Sequence, residues 1–331
     1  MPIVRNTSAP KIAVLVAGIL ALLSLLLFIR IPSGNEWMRV SLDASHGPIF
    51  AVVAMLVASL LAGRRGSAHA NAWPDWPLYM TALAICVALG ALIEFLQGFE
   101  GRPPSFFDVM TDTAGAMVGL AVWTLATRPA TGEPHAALGQ NPWPVIALGL
   151  AGFAFVLWRP MHVAIAYAHR AAAFPTIADF SSAHGLDFVT TGGVGAACAD
   201  IPAPWAHGPG ERALEIRYDP EHAPAVQVVE PQGDWRAFSY VAVDLTNAGP
   251  ADVSLVLRIH DAVHDWSHED RFNLPLIIPS QTRSTVQVAL PVVEEAPASR
   301  RMDMARIANV MVFGQPPAAP GSLFVSRIWL E

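Results

Sequence analysis

Between Leu92 and Gly119 lie Glu94, Gln97, Arg102, Ser105, Asp108 and Asp112, residue types that can carry charge, bond to a ligand or move a proton. They sit between two apolar stretches of membrane-spanning length, and Asp43 and His46 open the apolar stretch that precedes them. Ionisable groups at a bilayer boundary are expensive to keep, which makes the set a candidate functional site. Glu94 and Gln97 are three apart and Asp108 and Asp112 four apart, so each pair shares a helical face. Gly115 and Gly119 continue that spacing and admit a close neighbour. These spacings predict a pocket where the second, third and fourth helices meet.

The chemistry expected there is recognition of an amphipathic ligand at headgroup level. Arg102 offers a planar fork of donors to a phosphate or carboxylate, while Glu94, Gln97 and Asp108 accept from or donate to hydroxyls and amides. A lipid, glycolipid or cell-envelope precursor fits this mixture. Two other readings stay open. In the catalytic one, His46 with Asp43 forms a base and its orienter, with Glu94 and Asp108 as further acid or base. The carboxylates could also hold a divalent cation. No nucleophile elbow, His-Glu-x-x-His or phosphate loop accompanies these residues, so no cofactor or metal is expected. In the structural reading the polar groups only pair with one another, and Asp108 sits at a helix N-terminus, where an acid gains about 0.3–1 kcal/mol.

The elements that must position these groups are apolar runs at about 12–31, 47–62, 78–97, 109–127 and 144–158. A hydrocarbon core of ~30 Å asks for about 20 helical residues. The expectation is five transmembrane helices, the fifth continuing through 161–168 past a kink at Pro160. The first run follows Arg5 and Lys11 and is read as an uncleaved helix rather than a signal peptide. Asp43 and His46 begin the second helix, Glu94 and Gln97 end the third, and Asp108 and Asp112 begin the fourth. Parity alone then places all six at one membrane face. Arg5, Lys11, Arg64, Arg65 and Arg128 against Arg30, Arg39 and Arg102 favour a cytoplasmic N-terminus by the positive-inside rule. Five spans would deliver the C-terminal half outside the cytoplasm.

Charge divides the chain. Residues 1–170 hold ten basic and eight acidic residues, whereas the remainder holds ten basic and nineteen acidic, so the overall −7 belongs to the second half. An acidic soluble half excludes nucleic acid as a partner, since phosphate binding needs a clustered basic surface. Cys86 and Cys198 make no disulfide framework. From about Ala171 the segments 213–218, 240–246, 253–259, 285–290, 307–313 and 323–330 are short, rich in Val, Ile and Leu, and separated by turn residues. Such spacing predicts a β-sandwich or jelly roll. Gly192-Gly193-Val194-Gly195 reads as a turn, and Trp205 and Trp235 as residues of the core or its rim.

Two resemblances follow. The Asp-x-x-His entry at Asp43 and His46, Glu94-x-x-Gln97, Arg102, Ser105-x-x-Asp108 and the small-residue helix after it resemble the VanZ-like family of small membrane proteins. That resemblance implies a link with sensitivity to glycopeptide antibiotics of the teicoplanin type, and Asp112 stands where many relatives have Asn. The order Asp234-Trp235, 240–247, 255–261, Arg271-Phe272, 285–290, 307–313 and 323–330 is similar to the galactose-binding-like jelly roll of many carbohydrate-binding modules. It implies that Trp266 stacks on a sugar while Asp265 and Arg271 hydrogen-bond it. The alternative is a solvated loop on a protein-interaction module. The expected organisation is an all-α VanZ-like membrane domain at 10–128, a linker and fifth helix at 129–170, and an all-β jelly roll at 171–331. Its partners would be the bacterial-type inner or plasma membrane and an envelope glycan or lipid-linked ligand.

Overall fold

The computed structural model describes residues 9–28, 35–64, 76–99, 104–127, 141–181 and 183–331. Arg5, Arg30, Arg65, Arg102 and Arg128 lie outside the described residues. Among the described residues, five helices are long and apolar enough to cross a membrane: α1 (Ala9–Phe28), α2 (Glu36–Arg64), α3 (Trp76–Phe99), α4 (Phe106–Ala126) and α5 (Trp143–Ala173). The protein is an integral membrane protein whose helical part is followed by an all-β domain. By compactness the chain divides at Val163, inside α5.

Helix α2 begins earlier than its apolar run suggests. Asn35 caps it, its side-chain oxygen accepting from the Met38 N–H at 2.8 Å, and Glu36 pairs with Arg39 in the first turn. Asp43 and His46 therefore lie two to three turns inside the helix instead of opening it. Pro48 and Pro160 are both accommodated within helices, and α5 runs on to Ala173, beyond the stretch expected from hydropathy.

In lipid there is no hydrophobic drive between helices, so close association needs small residues. The α2–α4 contact shows this. A Cβ added at Gly115 would overlap the Gly47 backbone, and one at Gly119 would overlap the Ala51 carbonyl. Around this seam Phe50, Val53, Ala54, Ala82, Cys86 and Ala116 are fully buried. The aromatic rings of Phe99, Phe106, Trp143 and Trp158 are turned outward and exposed, as lipid-facing and interfacial rings are.

The second unit is a sandwich of two antiparallel sheets. Its strands are β1 (Thr176–Asp179), β2 (Val189–Gly192), β3 (Gly195–Asp200), β4 (Arg212–Tyr218), β5 (Ala225–Val229), β6 (Tyr240–Asn247), β7 (Val253–Asp261), β8 (Phe272–Ile278), β9 (Thr282–Ala289), β10 (Ile307–Gly314) and β11 (Gly321–Leu330), with a short α6 (Leu290–Glu294) after β9. One sheet runs β3-β4-β11-β6-β9 with β1 also on β11, and the other runs β2-β5-β10-β7-β8. Ile216, Val243, Leu245 and Val325 from the first sheet and Leu257, Ile259, Val310 and Val312 from the second fill one core, with Trp235 fully buried among them. The expected alternation in β6 is modified, since Ala242, Asp244 and Thr246 on its other face are buried as well. The stretch carrying Ile201 and Trp205 packs with Phe324 and Ala213 in a small second core. The Gly192–Gly195 turn is present, with Gly193 at φ 103°.

Replacing Gly115 with Leu is expected to destabilise the helical unit by about 1–3 kcal/mol through overpacking. Gly98→Ala, where an added Cβ meets only Pro104 at 3.4 Å, should be tolerated. Thermal unfolding of both variants in detergent checks the pair.

Candidate functional site

The site is assembled from three helices. On α4, Ser105 is the N-cap, its hydroxyl accepting from the Asp108 N–H at 3.2 Å. In a capping box the third helical residue would return a bond to the cap's own N–H. Here α3 does so instead, because the Ser105 N–H donates to Glu94 Oε2 at 2.7 Å. Glu94 thereby ties the end of α3 to the start of α4 and uses one carboxylate oxygen. Its other oxygen, Oε1, is buried with no hydrogen-bond partner among the described residues.

One turn further into α4, Asp112 is completely buried. Its Oδ1 meets His46 Nδ1 at 3.0 Å. Its Oδ2 lies against Gly90 of α3, where an added Cβ would come within 2.7 Å of it, and has no hydrogen-bond partner among the described residues. The carboxylate partner of His46 is thus Asp112 and not Asp43. The expected His46–Asp43 pairing is not formed: three residues apart the two share a helical face, but each is engaged by another helix, Asp43 by Arg159 of α5 at 3.3 Å and His46 by Asp112 of α4. The Arg159 guanidinium also lies 5.1 Å from the Phe107 ring centroid.

Gln97 is buried and donates to the Leu26 carbonyl of α1 at 3.2 Å, so its amide nitrogen holds two helices together. Arg102 lies outside the described residues. Of the eight residues expected to line the pocket, Glu94, Ser105, Asp108 and the His46–Asp112 pair come together, Asp43 and Gln97 are engaged by neighbouring helices, and Arg102 is not described. Arg159 was not singled out as a site residue, although a charge directly before Pro160 in an apolar stretch is visible in the sequence. In chemical terms the assembled site is rich in acceptors: a carboxylate oxygen at each of two depths, with an imidazole beside the deeper one.

The expected sugar-binding residues of the sandwich lie on the β7–β8 connection. Arg300 bridges its two ends, bonding Asp261 at 2.5 and 2.8 Å and Asp270 at 2.6 and 2.9 Å. The Asp303 N–H adds a bond to Asp261 at 2.7 Å. Between these anchors Trp266 stands out, 82% exposed in the left-handed region at φ 70°. Its ring centroid is 5.6 Å from that of His264 and 6.1 Å from that of His260. Asp265 accepts from the Ser267 N–H at 2.8 Å and so shapes the loop. Arg271 lines an open groove of ≈580 Å³ with Asn273, His268 and Glu295, and its Nε is buried with no partner among the described residues. His264, Asp265 and Asp270 approach within 4.8 Å of one another, but both Asp270 oxygens already bond Arg300. Arg300 was missed because it is distant in sequence from the loop it holds.

Residues 11–127 match the VanZ/LLP1 family model. The stretch 11–127 of the helical part is therefore VanZ-like. Among solved structures, an exo-beta-agarase is similar over 47% of this chain and 25% of that chain, at 12% identity and a TM-score of 0.37. This chain thus spans only a quarter of that enzyme. A family 11 carbohydrate-binding module from Clostridium thermocellum, solved with a mixed-linked tetrasaccharide, is similar over 44% of this chain and 89% of its own, at 13% identity and a TM-score of 0.31. A module specific for non-crystalline cellulose, CBM28, covers 41% of this chain and 79% of its own, at 14% identity and a TM-score of 0.30. No curated protein matches the sequence. These likenesses name no ligand for this chain.

Arg300 holds the Asp270 carboxyl down to about 2, below its usual value near 3.9. Because the folded value is the lower one, the resulting stability is present above about pH 4 and is lost as the pH falls toward about 2. Arg300→Met is expected to flatten the pH dependence of the sandwich's melting temperature across that window, measured by circular dichroism on the full chain in detergent.

Proposed function

We propose that the helical unit binds the polar part of an envelope lipid, glycolipid or glycopeptide-like ligand at the outer membrane–water interface, and that the sandwich engages carbohydrate outside the cytoplasm. The observation that carries the first half is the pair of buried carboxylate oxygens, Glu94 Oε1 and Asp112 Oδ2, that have no partner among the described residues. A buried acceptor left unsatisfied costs about 1–3 kcal/mol, more when charged, and a ligand bringing hydroxyl, amide or ammonium hydrogens relieves that cost. Gln97 and Asp43 hold the walls, and Arg102 is the residue suited to a phosphate or carboxylate on the same ligand. The preference of basic loops for the N-terminal side supports the outward orientation of the site and of the sandwich.

The second half rests on the clamped loop. Arg300 fixes both ends of a connection that presents an exposed Trp266 ring, so little ordering is needed for a sugar to stack on it. Arg271 in the adjoining groove offers a donor to the sugar's hydroxyls or carboxylates.

With teicoplanin and with an envelope lipid extract as probes, Glu94→Gln and Arg102→Ala should each weaken binding to the purified full chain about tenfold, the loss of roughly one charge-assisted bond. Unchanged affinity for both probes at normal folded yield would overturn the membrane half of the reading. On a glycan array, Trp266→Ala and Arg271→Met should abolish the signal of the full chain. Binding that survives both changes would make the sandwich a module for something other than sugar.

A further inference from the structure

Helix α5 lies beyond residues 11–127, the stretch that the family model covers, yet its first half is built into the helical unit. A Cβ added at Gly149 would strike Ala121 and one at Gly152 the Ala114 carbonyl, both on α4, while one at Gly47 of α2 would strike Val156. These small residues seat α5 against α2 and α4 and carry Arg159 to their polar end. There its Nη1 meets Asp43 Oδ2 at 3.3 Å, and the guanidinium lies 5.1 Å from the Phe107 ring centroid. The other N–H groups of the fork make no hydrogen bond among the described residues, and the side chain is 33% exposed. Arg283 and Arg300 each serve two carboxylates, whereas Arg159 serves one, through a single contact.

Neighbouring groups give a ligand at this end its character. Asp43 and His46 share a face of α2, so Arg159 stands one turn, about 4.5 Å at 1.5 Å per residue, along α2 from the His46–Asp112 pair. Phe107 is followed by Asp108, whose half-buried carboxylate lies within electrostatic reach of Asp43, His46 and Asp112. A donor fork and an acceptor carboxylate, both partly exposed, thus flank the first turn of α4, and the fork suits phosphate oxygens. A headgroup carrying only negative charge would be repelled by Asp43, Glu94, Asp108 and Asp112, and an amine on the same ligand offsets that repulsion. The level along the helix is that of headgroups: Arg159 is 16 residues beyond Trp143, about 24 Å, near the far boundary of a hydrocarbon core of ~30 Å. The exposed rings of Trp158 and Phe106 adjoin Arg159 and Phe107 in sequence, as interfacial rings do. Given the reading of the helical unit as an envelope-lipid site, on which this rests, we propose that Arg159 is its anion-binding residue and that the ligand is a phosphoethanolamine lipid headgroup, with the phosphate on Arg159 and the ammonium on Asp108.

The test is calorimetric titration of the purified full chain in detergent with short-chain phosphatidylethanolamine, the matching phosphatidylglycerol, and free phosphoethanolamine. Phosphatidylethanolamine is expected to bind about tenfold tighter than phosphatidylglycerol, and Asp108→Asn should erase that preference. Arg159→Gln should weaken phosphatidylethanolamine about tenfold, the loss of roughly one charge-assisted bond, and Arg159→Lys should restore part of it. Asp43→Asn keeps the guanidinium and removes its competitor, so it should tighten binding about threefold, the worth of an exposed ion pair. Weakening by Asp43→Asn as large as that by Arg159→Gln would mean that Arg159 only holds Asp43, and would overturn the proposal. If Arg159→Gln has no effect while Glu94→Gln still weakens binding, the role of Arg159 falls and the lipid site stands; if neither has an effect, both fall. Phosphatidylglycerol bound as tightly as phosphatidylethanolamine, or no binding of either, overturns the amine-bearing ligand. Free phosphoethanolamine bound as tightly as the lipid overturns the lipid source.

Discussion

The helical unit depends on α2 and α4 meeting backbone to backbone. Nothing larger than hydrogen fits at Gly115 or Gly119 without displacing the α2 main chain, and in lipid only such contacts bring helices this close without a polar tie. Once the seam is closed, His46 is held against Asp112, and Asp112 is pressed on α3 at Gly90. The polar site is therefore a consequence of small residues that themselves carry no chemistry.

The seam also explains why the site is rich in acceptors. Asp112 faces α2 and α3 at once, and among the described residues it has one donor, His46, for two oxygens. Glu94 gives one oxygen to the Ser105 main chain and keeps one. In water such excess would be solvated without cost. At a buried position it costs free energy, and that cost is the physical ground on which the pocket is proposed as a binding site.

The sandwich handles its acidic excess differently. Arg300 holds Asp261 and Asp270 together, and Arg283 likewise bonds Asp244 at 2.5 Å and Glu211 at 2.7 Å. One delocalised cation serving two carboxylates keeps loops in place where there is little apolar surface to do it. Such forks suit arginine and not lysine, whose ammonium is a compact point charge. The exposed Trp266 stands on the connection whose two ends Arg300 joins.

What the sequence determined by itself was whatever is written in local pattern. Five apolar runs gave five helices, because main-chain polar groups in a bilayer leave few alternatives. Short Val- and Ile-rich segments gave the strands at 212–218, 240–247, 253–261, 307–314 and 321–330. The strands Thr176–Asp179, Val189–Gly192 and Ala225–Val229 were not legible, being four or five residues long and edged by polar or glycine positions. That polar residues interrupt the apolar runs was legible, since charges in such runs stand out. Their pairings were not. That His46 takes Asp112 while Asp43 takes Arg159, and that Glu94 completes the cap of α4, was decided only by tertiary structure. Spacing along one helix fixes which side chains share a face, but the partner on another helix is fixed by how closely the two backbones approach. The same holds for Arg300, ordinary in its own stretch and given its role by carboxylates that the fold brings to it from far along the chain.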